Sequence, residues 1–377
     1  MFLLAYPIFI KSAFNTTLNA LGKKIPMKVV AFESDDWGSV RMPSKEFCNI
    51  YQKWYNSEAS PYALYDSIAT DDDLTCLFSV LHQYTDALGN SPIFTFNFIM
   101  ANPAFQRIKD SDFREYFYEP FYLTLSNYSH TGQYIDLIKE GIERKVIHSE
   151  LHGREHVHIK RWLSLLQSKN AASLEAFNHN TYMFQPQKPH LKSKSLFAAL
   201  DFDSTEELGG HRQILYDARD LFRDTFHRAP GSFIAPNYVW NKNHESMLNE
   251  IGIQSVQGTK FQNIPKHGSS HYKKSLRLMG NNNKHRQVQL VRNCFFEPSH
   301  SRRKDEVNAC LREIDRAFRC KVPAIISSHR LHYIGRLDIK NRDRNLQMLK
   351  TLLREINRNW PDVLYFNSSE LAKLYMA

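Results

Sequence analysis

The sequence predicts an α/β fold, a distorted (β/α) barrel of seven or eight mostly parallel strands. Short runs rich in β-branched or aromatic residues recur along the chain, and stretches of helical periodicity lie between several of them. These runs hardly alternate between polar and apolar residues, which is typical of parallel strands covered by helices. An open, doubly wound sheet is the alternative. The predicted strands are 28–33, 93–99, 145–149, 232–235, 253–256, 288–296, 323–328 and 363–366.

Length and composition indicate a globular protein. The 377 residues are 42% hydrophobic and 23% charged, without a low-complexity tract. We expect one barrel domain over residues 26–377, with insertions near 43–89 and 262–286, preceded by an apolar segment over residues 1–25. The apolar run 2–10 is too short to span a bilayer, and it lacks the preceding basic residues of a secretory signal.

The charge and cysteine content bound the partners and the compartment. The net charge of +10 favours anionic partners. For the basic loop 266–286, which contains no acidic residue, a solvated surface is the first interpretation and contact with a membrane or an anionic glycan the second; no nucleic-acid partner is expected. The five cysteines are widely spaced and form no CxxC pair. We therefore expect a reducing, cytoplasmic compartment, with membrane association or export as alternatives.

Paired carboxylates follow the first predicted strand. Asp35 and Asp36 stand where the apolar run 29–32 gives way to polar residues. In a parallel barrel the carboxyl ends of the strands form the active-site face. Adjacent carboxylates repel each other unless a cation or a proton lies between them, so the pair predicts a metal site. The alternative is that one of them caps a helix that begins near Gly38.

Three histidines spaced by four lie in and after the third predicted strand, at His148, His152 and His156. Two histidines at i and i+4 of a helical turn share one face and can bind one ion. With one carboxylate they are typical of a catalytic divalent site rather than a closed structural one. Gly153 stands where the HExxH metalloproteases have glutamate, which disfavours a protease.

Polar residues also follow the fourth and seventh predicted strands. Pro236, Asn237 and Tyr238 come after the fourth, and His329 comes after the seventh. A simple turn and a hydrogen-bonded core histidine are the alternatives for these positions. Because a barrel brings the carboxyl ends of its strands to one face, we expect the four segments to converge on one site.

Together these segments resemble the NodB-type polysaccharide deacetylases of carbohydrate esterase family 4, in a divergent bacterial subgroup, over about residues 28–332. The strand end at Asp35 and Asp36 is similar to that family's first motif, which implies Asp35 as the general base and Asp36 as a metal ligand. His152 and His156 keep the histidine spacing of its second motif and are implied as the other ligands, whereas the pair at 148 and 152 matches the motif more literally. The fifth motif implies His329 as the general acid.

The sequence departs from the family at its third and fourth motifs. Ile234 stands where the third motif has arginine, and the fourth motif is not present in its usual form. We hypothesise that Arg292 and Glu297 supply the missing charges. The resemblance implies that a backbone amide near Asn237 or Tyr238 binds the oxyanion. A platform for the sugar ring is expected from three aromatic side chains: Trp37, Tyr238 and Trp240.

The expected function is a metal-dependent hydrolase that removes N- or O-linked acetyl groups from a sugar or polysaccharide. Histidine-rich ligation predicts zinc first, although cobalt, nickel or iron would also fit. One alternative is a metal-dependent sugar-nucleotide transferase, in which the segment 34–36 binds a diphosphate through the ion. The other is a glycan-binding protein that keeps the fold without catalysis.

Overall fold

The computed structural model describes residues 6–55, 60–184, 195–266, 269, 271–300 and 305–377. All eight predicted strands are present, which confirms the predicted class of mostly parallel (β/α) barrel. They are β1 (Val29–Trp37), β2 (Phe94–Ile99), β3 (Ile147–Gly153), β4 (Ser232–Ile234), β5 (Ser255–Thr259), β6 (Val288–Arg292, continuing as Cys294–Phe295), β7 (Ala324–His329) and β8 (Leu364–Tyr365).

The sheet curls into a nearly closed barrel through β6. The strand order is β6, β5, β4, β3, β2, β1 and β7, and β8 pairs with β1. The first half of β6 pairs with β5, and its second half pairs with β7, on the other edge of the sheet. Asn293 lies between the halves, where its Nδ2 donates to the Pro323 carbonyl at 2.9 Å and its Oδ1 accepts the Ile325 N–H at 2.9 Å. The alternative of an open sheet is therefore wrong.

Helices cover the barrel. Their apolar stripes pack on strands whose residues are buried on both faces, as in all nine residues of β1. The helices, α1 to α14 in chain order, are Tyr6–Leu21, Lys45–Tyr55, Pro61–Tyr65, Asp71–Leu81, Phe105–Asp110, Phe121–Thr124, Tyr134–Glu143, Ile159–Gln167, Ala171–Asn178, Thr205–Phe226, Lys242–Glu250, Glu306–Arg319, Ile339–Asn359 and Ser368–Met376.

A second hydrophobic cluster lies outside the barrel core. It joins residues of α2 and α3, which belong to the expected insertion 43–89, to the segment 157–197 between β3 and α10. That second segment, with its helices α8 and α9, was not among the expected insertions. An antiparallel hairpin overlaps the expected insertion near 262–286: in it, Phe261–Ile264 pairs with Lys273–Leu276.

The N-terminal segment forms helix α1, which packs beside α12. Arg316 Nη2 donates to Ser12 Oγ at 3.1 Å, and the Ile25 N–H donates to the Lys321 carbonyl at 2.9 Å. Residues 1–5, which carry part of the predicted apolar run, lie outside the described residues. No helix in the described part of the chain has the length and apolar character needed to cross a membrane.

Candidate active site

A cavity of about 280 Å³ opens at the carboxyl end of the barrel strands. Its walls combine the ends of β1, β3 and β7, the turn after β4, and residues of the second hydrophobic cluster. The four polar segments picked out in the sequence therefore meet at one place. The lining residues are Asp35, Asp36, Arg41, Ser60, Tyr62, His152, His156, Met183, Phe197, Ala235, Asn237, Tyr238 and His329.

Asp36, His152 and His156 converge on one point. Asp36 Oδ1 lies 3.5 Å from His152 Nε2 and 3.3 Å from His156 Nε2. A tetrahedral zinc ion with bonds of about 2.0–2.1 Å separates its ligand atoms by about 3.3–3.4 Å. Asp36 Oδ2 is buried and has no hydrogen-bond partner among the described residues, so a nearby cation would satisfy this carboxylate. The three residues thus fit a divalent ion.

The backbone at Asp36 has a positive φ of 74°, an unusual conformation for a residue other than glycine. No helix begins at Gly38, because the next helix, α2, starts at Lys45. The alternative that this aspartate caps a helix is therefore wrong. The unusual backbone instead directs the carboxylate towards the two histidines.

The two histidines do not lie on one helical turn, so that expectation is wrong. His152 is on β3, which ends at Gly153, and His156 lies in the following loop. Gly153 has a φ of 137°, and the Arg154 carbonyl accepts the Ala101 N–H at 2.7 Å. The chain therefore turns at the end of β3, and the loop returns His156 towards the first strand.

A hydrogen bond determines which nitrogen of His152 faces Asp36. His152 Nδ1 donates to the Ile234 carbonyl at 2.9 Å, which leaves the Nε2 lone pair directed at Asp36. His148, the first residue of the alternative pair, is elsewhere: its Nε2 is hydrogen-bonded to Glu150 at 2.9 Å, and it does not line the cavity.

Arg41 is a cavity residue that sequence reasoning missed. Its Nη2 donates to Asp36 Oδ1 at 2.8 Å and lies 3.1 Å from His156 Nε2. Its Nε lies 3.2 Å from Asp66 Oδ2, and its guanidinium carbon lies 4.6 Å from the centre of the Tyr62 ring. No motif marks an arginine at this position, and only the bend of the chain after β1 brings it to the ligands.

Arg41 affects the protonation of Asp36 and His156. Burial alone would raise the pKa of Asp36, but the charge of Arg41 and the interaction with His152 outweigh it, so this pKa lies well below its usual value. Burial and the charge of Arg41 lower the pKa of His156 well below 6.5, against the opposing effect of Asp36. Both groups are thus in the deprotonated form that metal ligation requires.

Asp35 lies beside this cluster and is held by Arg292. The Asp35 carboxylate accepts from Arg292 Nη2 at 2.6 Å, from Arg292 Nη1 at 2.7 Å and from Asn97 Nδ2 at 2.7 Å. Burial raises the pKa of Asp35, but the charge and hydrogen bonds of Arg292 outweigh it and lower this pKa. Arg292 also donates from Nε to Glu33 at 2.7 Å. An arginine from β6 thus contacts Asp35, although the turn after β4 carries none.

His329 and Glu297 form a pair on the other side of Asp35. His329 Nδ1 lies 2.9 Å from Glu297 Oε1, and His329 Nε2 lies 3.8 Å from Asp35 Oδ2. Burial lowers the pKa of His329, but the charge and hydrogen bond of Glu297 outweigh it and raise this pKa to about 9. His329 is therefore protonated at neutral pH. Glu297 also contacts His332 Nε2 at 2.5 Å, a neighbour that was not predicted.

The turn after β4 carries Asn237 and Tyr238, whose φ angles are 55° and 57°. The Tyr238 N–H donates to the Ala235 carbonyl at 2.9 Å, so it is engaged within the turn. Of the two residues expected to supply the oxyanion donor, only Asn237 stays a candidate. The Tyr238 hydroxyl accepts from Arg292 Nη1 at 3.2 Å, which places its ring in the cavity wall.

Trp37 and Trp240 are core residues, which corrects the expectation that they form a sugar platform. Both are about 1% exposed, and neither lines the cavity. The ring of Trp37 stacks on Phe96 with a centroid separation of 3.6 Å, and Arg277 lies 5.0 Å above the Trp240 ring. An aromatic residue at a strand end can point into the core as readily as into the cavity. The aromatic rings at the cavity are Tyr62, Phe197 and Tyr238.

No family model and no curated protein matches the chain. The solved structures that resemble it include polysaccharide deacetylases. A protein from Mycobacterium smegmatis described as a polysaccharide deacetylase is 12% identical over 94% of this chain and 93% of its own, with a TM-score of 0.45. A CE4 family pseudoenzyme from Bacillus anthracis is 9% identical over 92% of this chain and 66% of its own, with a TM-score of 0.37.

A 4-alpha-glucanotransferase from Thermococcus litoralis is also similar, with 9% identity and a TM-score of 0.45. The alignment covers 93% of this chain and 40% of the glucanotransferase, so the chain spans less than half the length of that enzyme. Similarity at this level assigns no substrate.

Proposed function

We propose that this protein is a metal-dependent hydrolase that removes N- or O-linked acetyl groups from a sugar or polysaccharide. The observation that carries the proposal is the approach of Asp36 Oδ1 to within 3.3–3.5 Å of two histidine nitrogens. An ionised aspartate, Asp35, and a protonated histidine, His329, lie beside that point. A proton acceptor and a proton donor next to a cation site form the arrangement that hydrolysis of an amide or ester needs.

Asp36, His152 and His156 would hold the divalent ion, zinc being expected first and cobalt, nickel or iron as alternatives. When bound, such an ion polarises a carbonyl group and lowers the pKa of water. Two imidazoles and one carboxylate leave coordination positions open to water and substrate, as a catalytic site requires. The hydrogen bond from His152 Nδ1 to the Ile234 carbonyl fixes the orientation of its ring.

Asp35 is proposed to accept the proton of the attacking water, whose oxygen forms the new bond to the acyl carbon. Arg292 keeps this carboxylate ionised and oriented. The backbone N–H of Asn237 is proposed to stabilise the charge that develops on the carbonyl oxygen, a contribution of about 3 kcal/mol per donor. His329 then donates its Nε2 proton to the departing nitrogen or oxygen as the acyl bond breaks, while Glu297 holds Nδ1.

A glycan-binding protein without catalysis is the second candidate, and Arg41 is the observation that favours it. Its guanidinium contacts two of the three proposed ligands and provides a positive charge there without an ion. A binding protein, however, has no need for the Asp35 and His329 pair. Metal content therefore distinguishes the two candidates.

The test combines metal analysis with acetate release. Purified protein is expected to contain about one divalent ion per chain and to release acetate from acetylated oligosaccharides until a chelator is added. Asp36→Asn, His152→Gln and His156→Gln should each lose the ion and the activity. Asp35→Asn and His329→Gln should keep the ion and lose activity by about 10²–10⁴-fold.

His148→Gln is the matched control, because His148 lies on the same strand as His152 but outside the cavity. It should retain both the ion and the activity. Retention of the ion in all three ligand variants, or acetate release that a chelator does not affect, would contradict the proposal. If the protein binds acetylated glycans but neither binds a divalent ion nor releases acetate, the second candidate is supported.

A further inference from the structure

The positive charge of this protein is concentrated in two stretches of the chain that contain no acidic residue. Residues 1–32 contain four lysines, and residues 251–296 contain eight lysines or arginines. These 12 basic residues exceed the net charge of +10, because the other 37 basic residues are outnumbered by the 39 acidic ones. The rest of the protein therefore has a net charge of −2.

The two stretches pack against each other along helix α1. The ring of Phe14 stacks on Phe261 with a centroid separation of 6.1 Å and an interplanar angle of 5°. Lys260 Nζ donates to Asn15 Oδ1 at 2.8 Å. At the other end of the helix, the Lys23 N–H donates to the Met279 carbonyl at 2.8 Å. Helix α1 and the two hairpin strands, Phe261–Ile264 and Lys273–Leu276, thus form one continuous surface, here named the basic apolar face.

Large apolar side chains are exposed on this face. Phe14 and Leu21, seven residues apart and so on the same side of α1, are 46% and 58% exposed. Phe261 and Leu276 are directly opposite each other in the hairpin and are 40% and 46% exposed. Exposed lysines lie in the same two stretches: Lys23, Lys24, Lys266, Lys273, Lys274 and Lys284.

We propose that the basic apolar face binds the surface of an anionic lipid bilayer. Apolar side chains at the interface enter the boundary between headgroups and acyl chains, and lysines beside them bind the anionic headgroups. A soluble anionic glycan would use the lysines but would leave Leu21 and Leu276 in water. The helix lies on the bilayer and does not cross it, in keeping with the absence of a membrane-spanning helix among the described residues.

Docking would hold the cavity beside the bilayer. Asn263 in the hairpin donates from Nδ2 to the Asn237 carbonyl at 3.3 Å, and its own carbonyl accepts the Trp240 N–H at 3.2 Å. The hairpin is thus attached to the rim of the cavity, but no residue of the basic apolar face lines it. Membrane binding is therefore independent of the proposed hydrolase activity and can be tested without it.

The test is cosedimentation of the full chain with vesicles of phosphatidylcholine alone or with about 30% phosphatidylglycerol. Binding is expected only to the anionic vesicles, and it should weaken as salt is raised. The double variants Phe261→Ser with Leu276→Ser, and Lys273→Glu with Lys274→Glu, should each reduce partitioning by about tenfold or more. If the variant Phe261→Ser with Leu276→Ser fails to fold, Phe14→Ser on the helix tests the apolar contribution in its place.

The control variants carry the same substitutions elsewhere on the surface. Leu88 and Leu123 are 72% and 52% exposed and lie outside the two stretches, and Lys139 and Lys340 are exposed lysines there. Leu88→Ser with Leu123→Ser, and Lys139→Glu with Lys340→Glu, should leave vesicle binding unchanged. Lack of binding to anionic vesicles, or equal losses in variants and controls, overturns the proposal. If soluble polygalacturonate abolishes vesicle binding while the apolar variants still bind, the membrane proposal is overturned in favour of an anionic glycan.

Discussion

Arg41 and the proposed divalent ion would use the same atom of His156. A neutral imidazole nitrogen that accepts a hydrogen bond has one lone pair, and Arg41 Nη2 lies 3.1 Å from His156 Nε2. Binding of an ion through that nitrogen therefore requires this hydrogen bond to break. The guanidinium can be retained nearby, because its Nε lies 3.2 Å from Asp66 Oδ2.

We therefore expect Arg41→Met to tighten binding of zinc by about tenfold, since one charge-assisted hydrogen bond no longer competes with the ion. The measurement is a competition titration against a chromophoric chelator. Asp66 keeps its partner in the variant, because Arg330 Nε donates to it at 2.8 Å. Arg219→Met, which removes a surface arginine paired with Asp220, is the control. An affinity that is unchanged or weaker in Arg41→Met would show that the guanidinium does not compete.

The Glu297 carboxylate determines where His329 loses its proton. His329 acts as an acid only while protonated, so activity should fall as the pH rises through its raised pKa of about 9. In Glu297→Gln the negative charge is absent, and the pKa of His329 should move down towards 6.5. We expect the alkaline limb of the kcat profile to shift to lower pH, with activity retained in acid. An alkaline limb at the wild-type position would contradict this role for Glu297.

At the scale of an element, the turn after β4 combines two left-handed residues in sequence. Asn237 and Tyr238 both have φ near 55°, where asparagine is tolerated and β-branched residues are strongly disfavoured. The turn directs Tyr238 towards Arg292 and presents Asn237 at the cavity. Its backbone conformation is therefore part of the site, and the choice of side chain at position 237 should matter for stability.

Asn237→Val should lower the free energy of unfolding by about 1–2 kcal/mol, because valine must adopt a positive φ. Asn237→Gly removes the same hydrogen bond to Ser195 but adopts this backbone conformation easily, so it should change stability by less than about 1 kcal/mol. Denaturant titration of both variants gives the comparison. Equal losses would mean that the side-chain hydrogen bond, and not the backbone, controls stability here.

At the scale of the whole molecule, Asn293 lies where the barrel closes, between the two halves of β6. The side chain of Asn293 makes hydrogen bonds at both of its polar atoms to the backbone near the start of β7. The closure also brings Arg292, which follows Glu33 by 259 positions, into contact with the end of β1. The geometry around Asp35 is thus a consequence of how the sheet closes.

Asn293→Ala should reduce the free energy of unfolding by about 2–3 kcal/mol, since it leaves a buried carbonyl and a buried N–H without their partners. Asn283→Ala is the control, because this asparagine also makes side-chain hydrogen bonds at both polar atoms, but in a partly exposed loop. Its loss should be under about 1 kcal/mol. Equal stabilities of the two variants would indicate that the barrel closes without the Asn293 side chain.

The sequence alone determined the strands and the positions where polar residues follow them. Buried parallel strands need continuous apolar runs, and such a run followed by Asp35, Asp36 or His329 can be read without knowing what surrounds it. The helical spacing of apolar residues in α12 and α13 can likewise be read from neighbouring residues alone. The spacing of His152 and His156 is compatible with a helical turn and with a strand followed by a loop, and the helical prediction was wrong. His152 lies on a strand and His156 in the loop that follows it.

Only the tertiary structure decided which distant residues meet. Arg41 reaches the proposed metal ligands through a bend that no motif marks, and Trp37 and Trp240 turn into the core because packing partners are available there. The basic apolar face likewise joins two stretches more than 200 residues apart in sequence. Contacts of this kind depend on how elements distant in sequence pack together, which the hydrophobic pattern of single elements does not encode.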